Sequence, residues 1–293
     1  MRLRRPQVAA SALVWLVLGA IYFLVPLIAT LLFSLKDAQT GKCCSLSAYG
    51  VILHDPEFWS TIKLSFRLAL ETIVIGLLLF VPTLYWVHLR LPRLRPVIGF
   101  IALVPFVIPP IILVVGLLEF FKDDLHAPFW FLGKPDLFLV GAYVILAFPY
   151  IYFSLDAGFR AIDVHTLTEA SQSLGASWRT TLFRVILPNI RVAALAGAFL
   201  TLAIVMGEFT IASLATFHTF PTYIQYINET QAYPAAAVTL MSFAITWAAM
   251  LSLLLIGRRG HGDFGAVVTD GAVQHVRAAS QARLFHALPR VGY

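Results

Sequence analysis

Glu169-Ala170-Ser171-Gln172-Ser173-Leu174-Gly175-Ala176, with Phe183 and Leu187-Pro188 further on, is the stretch that decides how this chain is built. It is polar and helix-permissive, and it interrupts a strongly apolar protein between two candidate membrane spans. Glu169, Ala170, Gln172, Ser173 and Leu174 favour a short helix. Gly175 ends it by accepting a left-handed backbone, which a residue with a Cβ avoids. A second short helix is expected from Ala176 to Leu187. Pro188 has no N–H and cannot continue it as an interior residue, but it fits the first turn of a new helix. The pattern is helix, glycine bend, helix, then a new span: a rigid knob on a membrane surface. A knob of that kind is a docking device.

Outward from the knob, composition names the solvent. Hydrophobic residues make up 59% and charged residues 12% of the 293, and the mean hydropathy is +0.83. A soluble domain is far less apolar, so the fold must be reasoned in lipid. Uncharged runs cover 6–35, 72–87, 96–118, 137–155, 192–207 and 230–257. With a few flanking residues each is long enough to cross about 30 Å of hydrocarbon as a helix. Backbone amides in lipid must be satisfied within the segment, so an all-α integral membrane protein with six transmembrane helices is expected.

Orientation follows from Lys and Arg. Arg2, Arg4, Arg5, Arg90, Arg93, Arg95, Arg160, Arg179, Arg184, Arg191, Arg258, Arg259, Arg277, Arg283 and Arg290 fall in one set of connections, 15 of the 21 basic residues. Lys36, Lys42, Lys63, Arg67, Lys122 and Lys134 form the other. The positive-inside rule places both termini and the Glu169 loop in the cytoplasm. The net charge of +6 follows from the same rule and implies no nucleic-acid partner.

Glu-Ala-Ser, Gly-Ala six residues after the Glu, then Phe and Leu-Pro, resembles the cytoplasmic loop of permease subunits of binding-protein-dependent type I ABC importers. Glu169, Ala170, Gly175, Ala176, Phe183, Leu187 and Pro188 match that pattern, with Ser171 in place of the usual second Ala and Val185 in place of a common Ile. Leu174 stands where many members carry Asp, and looks like the branch serving polyamines, opines, phosphonates and similar solutes. The resemblance spans roughly residues 60 to 256. It implies that the first short helix couples to an ATPase subunit. It also implies two ATPase copies, a second permease copy or paralogue, an extracytoplasmic solute-binding protein, and a place in the bacterial cytoplasmic membrane.

Three regions are expected along the chain. Residues 1–59 hold a signal-anchor helix and an external loop, 60–257 the transmembrane domain, and 258–293 a loosely ordered cytoplasmic tail. The external loop carries Cys43-Cys44, which are too close in sequence for the usual disulfide geometry. Lys63, Arg67 and Glu71 share one face of the second span, with Glu71 about 25 Å above His88. Pro105, Pro109 and Pro110 free backbone carbonyls in the third span, as suits a moving translocation path. The words of that span also resemble polyamine-type permeases.

In the fifth span Glu208 lies about 25 Å along the helix from Arg191, close in depth to Glu71. An ionisable group there is costly unless it faces a bundle interior or an aqueous cavity. Met206-Gly207-Glu208-Phe209 also resembles permeases whose substrates differ in charge, such as molybdate and thiamine, which argues against a cation-selecting ligand. Arg67, Glu71, Pro109, Pro110 and Glu208 are therefore candidate gate or pathway residues, with an Arg67–Glu208 ion pair expected to help close the outer gate. The aromatic stretch 212–234 is expected to be an external loop, an interfacial belt or a surface for a binding protein.

No G-x-x-x-x-G-K-[ST] phosphate loop, metal-ligand spacing or catalytic frame occurs in the sequence, so no catalytic residue, metal or cofactor is assigned. Energy must come from another subunit. A secondary transporter is the competing class, and it would carry an internal repeat and midplane ionisable sites. The acidic residues here sit near span ends, and a docking loop would have no purpose in it.

Overall fold

The computed structural model describes residues 10–37, 42–121 and 135–259. Among them all regular structure is helical. The chain divides into residues 1–248 and 249–293; the described part of the second is the helical run to Arg259. Lys122, Asp123, Asp124, His126 and the tail beyond Arg259 lie outside the described residues.

Helix α1 (Ala10–Ser34) exposes apolar side chains almost along its whole length, as expected of a span that faces lipid. Cys43 and Cys44 follow it as free, exposed thiols. A short α2 (Ser47–Leu53) leads to α3 (Pro56–Arg90). Asp55 caps α3 by accepting from the Glu57 N–H at 2.9 Å, and Pro56 takes the position where a missing N–H does no harm. At 35 residues α3 is about 52 Å long, so it overshoots a hydrocarbon slab of about 30 Å.

Helix α6 (Pro135–Arg160) and helix α9 (Arg191–Gly207) pack with α3 to form the bundle core. Small residues set that packing. A Cβ on Gly158 would lie 2.4 Å from the Ala193 Cβ, and one on Gly76 would lie 2.5 Å from Ile151 Cδ1. In a medium as apolar as the side chains themselves, such close approach is what brings helices together.

The third apolar run is two helices. Helix α4 (Arg95–Val107) and helix α5 (Pro110–Phe121) meet at 98° across Ile108 and Pro109. The expected proline-broken span is thus a near right-angled break, sharper than a kink. Four described helices are individually long and apolar enough to cross a membrane: Leu13–Ser34, Pro56–Arg90, Asp136–Arg160 and Ala232–Ser252. The count reaches six when each of two bent pairs is taken as one span.

The second bent pair begins at the knob. Helix α7 (Val164–Ser173) precedes Gly175, and the helical segment α8 (Trp178–Asn189) follows it. Inside α8, Thr181–Ile186 forms a π-helical turn. Pro188 has no N–H to return to the Arg184 carbonyl, and the widened turn falls just before it. The expectation that Pro188 opens the next span is corrected: Pro188 lies in the last turn of α8, and the chain turns by 76° into α9 after Ile190. Beyond α9, the expected loop over 212–234 is largely helical, as α10 (Thr210–Leu214) and α11 (Phe220–Thr230), before α12 (Ala232–Arg259).

Candidate functional site

The knob is built from its caps. Asp163 starts α7 by accepting from the Thr166 N–H at 3.1 Å and the Thr166 hydroxyl at 2.7 Å. Those two bonds hold the Asp163 carboxyl below its ordinary pKa, the side-chain bond contributing most. At the other end the Ala176 N–H reaches the Ser171 carbonyl at 3.1 Å and the Gly175 N–H reaches that of Gln172 at 2.9 Å. This is a Schellman closure, and Gly175 takes the φ of +81° that it needs.

Val164, Thr168 and Ser171 form the buried face of α7. Thr168 bonds the Tyr85 hydroxyl of α3 at 3.2 Å, and Ser171 bonds the Thr181 hydroxyl of α8 at 3.0 Å. Glu169, Ala170 and Gly175 are exposed, as is Leu174 at 90%. Ala176 and Leu187 are half-buried, while Phe183 and Pro188 are exposed on α8. Ser171 thus holds the knob together from within, while Glu169, Ala170, Gly175, Phe183 and Pro188 are presented outward.

The second candidate region is where the two interior breaks face each other. A cleft of about 450 Å³ is bordered by Phe106, Ile108, Pro109, Pro110, Tyr150 and Glu208. Glu208 is not an interior helical residue, as its depth in the sequence suggested. It is the extended residue that ends α9, at φ −81° and ψ 114°. Its Oε1 accepts from the Ile211 N–H at 2.9 Å, and its Oε2 from the Ala212 N–H at 3.3 Å, so the carboxylate caps α10. The Tyr143 hydroxyl is buried beside that carboxylate without a well-formed hydrogen bond.

The expected Arg67–Glu208 pair does not form. Arg67 bonds Asp136 of α6 and lies 3.5 Å from Glu71 on its own helix. Helix α9 stops at Gly207, so a residue count along it does not place Glu208 in the surroundings that the same count gives on the unbroken α3. Glu208 finds its donors in the backbone that its own break exposes.

A third cluster escaped the sequence reading. Asp156 of α6, only 4% exposed, accepts from His88 of α3 at 2.9 Å and from Arg95 of α4 at 3.3 Å, and pairs with Arg160 one turn on. The His88 ring stacks on Phe159 at 5.1 Å. The available signal was Asp156 as the sole acidic residue between 137 and 162, with Arg160 at i+4.

The chain as a whole is similar to known proteins. A family model described as the binding-protein-dependent transport system inner membrane component matches residues 72–260. The chain belongs to that family. It is a permease subunit of a binding-protein-dependent ABC importer, a transport component of the inner membrane with multiple apolar helices. The spermidine/putrescine transport permease PotB of Salmonella typhimurium is 28% identical over 214 residues, covering 68% of this chain and 73% of that one. The putrescine permease PotI of Escherichia coli is 25% identical, covering 70% and 74%. The molybdenum permease ModB of Azotobacter vinelandii is 30% identical over 164 residues, 52% of this chain and 70% of that one. Among solved structures, a bacterial ABC transporter involved in import of the acidic polysaccharide alginate shares the fold, with a TM-score of 0.65, 16% identity, and coverage of 85% of this chain and 94% of that chain.

Proposed function

We propose that this permease forms half of a translocation pathway for a small polar solute, and that α7, Gly175 and α8 couple it to ATP hydrolysis on a separate subunit. The observation that supports this is the construction of the knob. Its motif residues Glu169, Ala170, Gly175, Phe183 and Pro188 point outward, while its inner face is tied to α3 through Thr168 and Tyr85. A push on the exposed face therefore reaches a helix that runs the full depth of the bundle. The complete importer in this reading has two ATPase copies, a second copy or paralogue of this permease, and an extracytoplasmic solute-binding protein. Both termini and the knob face the cytoplasm, as the distribution of Lys and Arg requires.

The solute belongs to the polyamine, opine and phosphonate group, with polyamines first because two of the relatives serve them by name. Gly175→Val tests the coupling. The variant should reach the membrane yet lose substrate-stimulated ATPase activity in the assembled complex; full activity would remove the coupling role. Orientation has its own test in whole cells: a cysteine placed at Lys122 should take an impermeant label, and one at Ser173 should not.

A further inference from the structure

Three helix ends meet at one level of the molecule. Helix α3 finishes at Arg90, α6 finishes at Arg160, and α4 begins at Arg95. Helices α3 and α6 are long and apolar enough to cross a membrane, and Arg90, Arg95 and Arg160, which gather at this end, are residues that suit the headgroup level. Between these ends lies a cleft of about 390 Å³, into which the Arg95 and Arg160 side chains both contribute.

Its walls differ in chemistry. At one end two guanidinium groups face a single carboxylate, Asp156, which already accepts from His88 as well. Positive charge is in surplus there. Five N–H groups on each guanidinium exceed what Asp156 can take, and Arg95 Nε is buried without a partner. The Tyr152 hydroxyl donates to the Arg95 carbonyl at 3.2 Å and fixes the start of α4. Gly99 keeps the floor open, since even a Cβ there would stand 3.4 Å from that hydroxyl. Deeper along the same face the surface turns apolar, with Leu103 one turn beyond Gly99 and Phe153 opposite, 43% and 42% exposed. Cationic at the headgroup level and apolar below it, the cleft suits an amphiphile with an anionic head.

We propose that this cleft binds the phosphate of an anionic phospholipid, held by Arg95 and Arg160, with an acyl chain lying along Leu103 and Phe153. Basic pockets between spans are the setting in which such headgroups are recognised, and guanidinium forks match phosphate oxygens in geometry. A bound phosphate would neutralise the surplus charge and brace the junction of α3, α4 and α6.

The test uses the full chain purified from membranes into nanodiscs of mixed phosphatidylglycerol and phosphatidylcholine. After exchange into detergent, the retained lipid is counted by mass spectrometry. The wild-type protein should keep phosphatidylglycerol over phosphatidylcholine. Arg95→Gln and Arg160→Gln should each lower that preference about tenfold, the effect of losing one charge-assisted bond. Gly99→Leu, which fills the cleft and alters no charge, should lower it as well, and it decides the matter if Arg95→Gln does not fold. Lys63→Gln, which removes a charge from the far end of α3, should leave it unchanged. Equal retention in every variant overturns the site. Inorganic phosphate that displaces phosphatidylglycerol and raises the melting temperature equally would overturn the lipid and leave a free-anion site.

Discussion

Two clusters of charge tie the same pair of helices, α3 and α6, at opposite ends, and they are built differently. At the far end from the knob, Arg67 bridges Glu71 and Asp136 with side chains 52%, 43% and 42% exposed. At the near end the side chains of His88 and Asp156 are 6% and 5% exposed, and Arg95 at 29% and Arg160 at 64% close over the same carboxylate from the outer side. An exposed pair gains little from its own attraction, because water competes for both charges. A buried carboxylate that serves His88, Arg95 and Arg160 at once is different: remove it, and the buried His88 ring and the partly buried Arg95 lose their acceptor together. The comparison teaches which end of the α3–α6 pair is held more firmly. The bridge at the far end would be broken at small free-energy cost, while the cluster nearest the knob holds α3, α4 and α6 through one buried carboxylate.

The largest effect should come from breaking the buried cluster. Asp156→Ala should destabilise the protein by about 2–3 kcal/mol, as read from thermal unfolding in detergent, because His88 and Arg95 lose a buried acceptor while Arg160 stays in solvent. A loss no larger than that of Arg67→Ala would erase the distinction between the two ends. Next comes Glu208, which belongs to neither cluster. Glu208→Ala leaves the buried N–H groups of Ile211 and Ala212 without an acceptor, at about 1–3 kcal/mol. Glu208→Gln keeps an acceptor oxygen and should recover most of that loss. If Gln behaves like Ala, the negative charge itself matters, and Glu208 is more than a cap.

Gly175→Val ranks third. A β-branched residue at φ +81° is strained by about 1–2 kcal/mol, and the strain falls on a surface turn rather than on the core. Gly175→Asn should be milder, since Asn tolerates that conformation. The two variants together separate a loss of coupling from a loss of folding. Parallel falls in melting temperature and ATPase stimulation would point to folding alone.

How far these features could be read beforehand depended on whether their partners were local. The knob was legible because its helix, its glycine closure and its second helix are set by residues within twenty positions of one another. Ser171 and Ala176 meet by backbone geometry alone, whereas the helix begins earlier than Glu169, at the Asp163 cap that the motif does not include. The apolar runs gave the helices for the same reason, but not their angles. Nothing in Ile108-Pro109-Pro110 distinguishes a mild kink from a turn of 98°, because neighbouring helices decide it. The cluster around Asp156 was illegible for a related reason. His88 and Asp156 are 68 positions apart, and only the packing of α3 on α6 makes them neighbours. Glu208 was legible as costly, and its partner was misassigned. A depth count finds side chains at the same level, whereas a helix break supplies backbone donors that no count reveals.

The smallest effect tests that last point. Arg67→Ala should cost no more than about 1 kcal/mol, since both of its partners are solvated. A double-mutant cycle then separates two accounts of the far end. If Arg67 works with Asp136, the pair Arg67→Ala and Asp136→Ala should be non-additive by a few tenths of a kcal/mol, and less so at high salt, where exposed charges are screened. Arg67→Ala combined with Glu208→Ala should instead be additive within about 0.5 kcal/mol, as for residues that share no partner. The same cycle read in basal ATPase activity asks about other states of the transporter. Additive stability with strongly coupled activity would mean that Arg67 leaves Asp136 and reaches Glu208 in another state of the transporter. In that case the exposed bridge at the far end is one position of a switch, and its weakness is what lets it exchange partners.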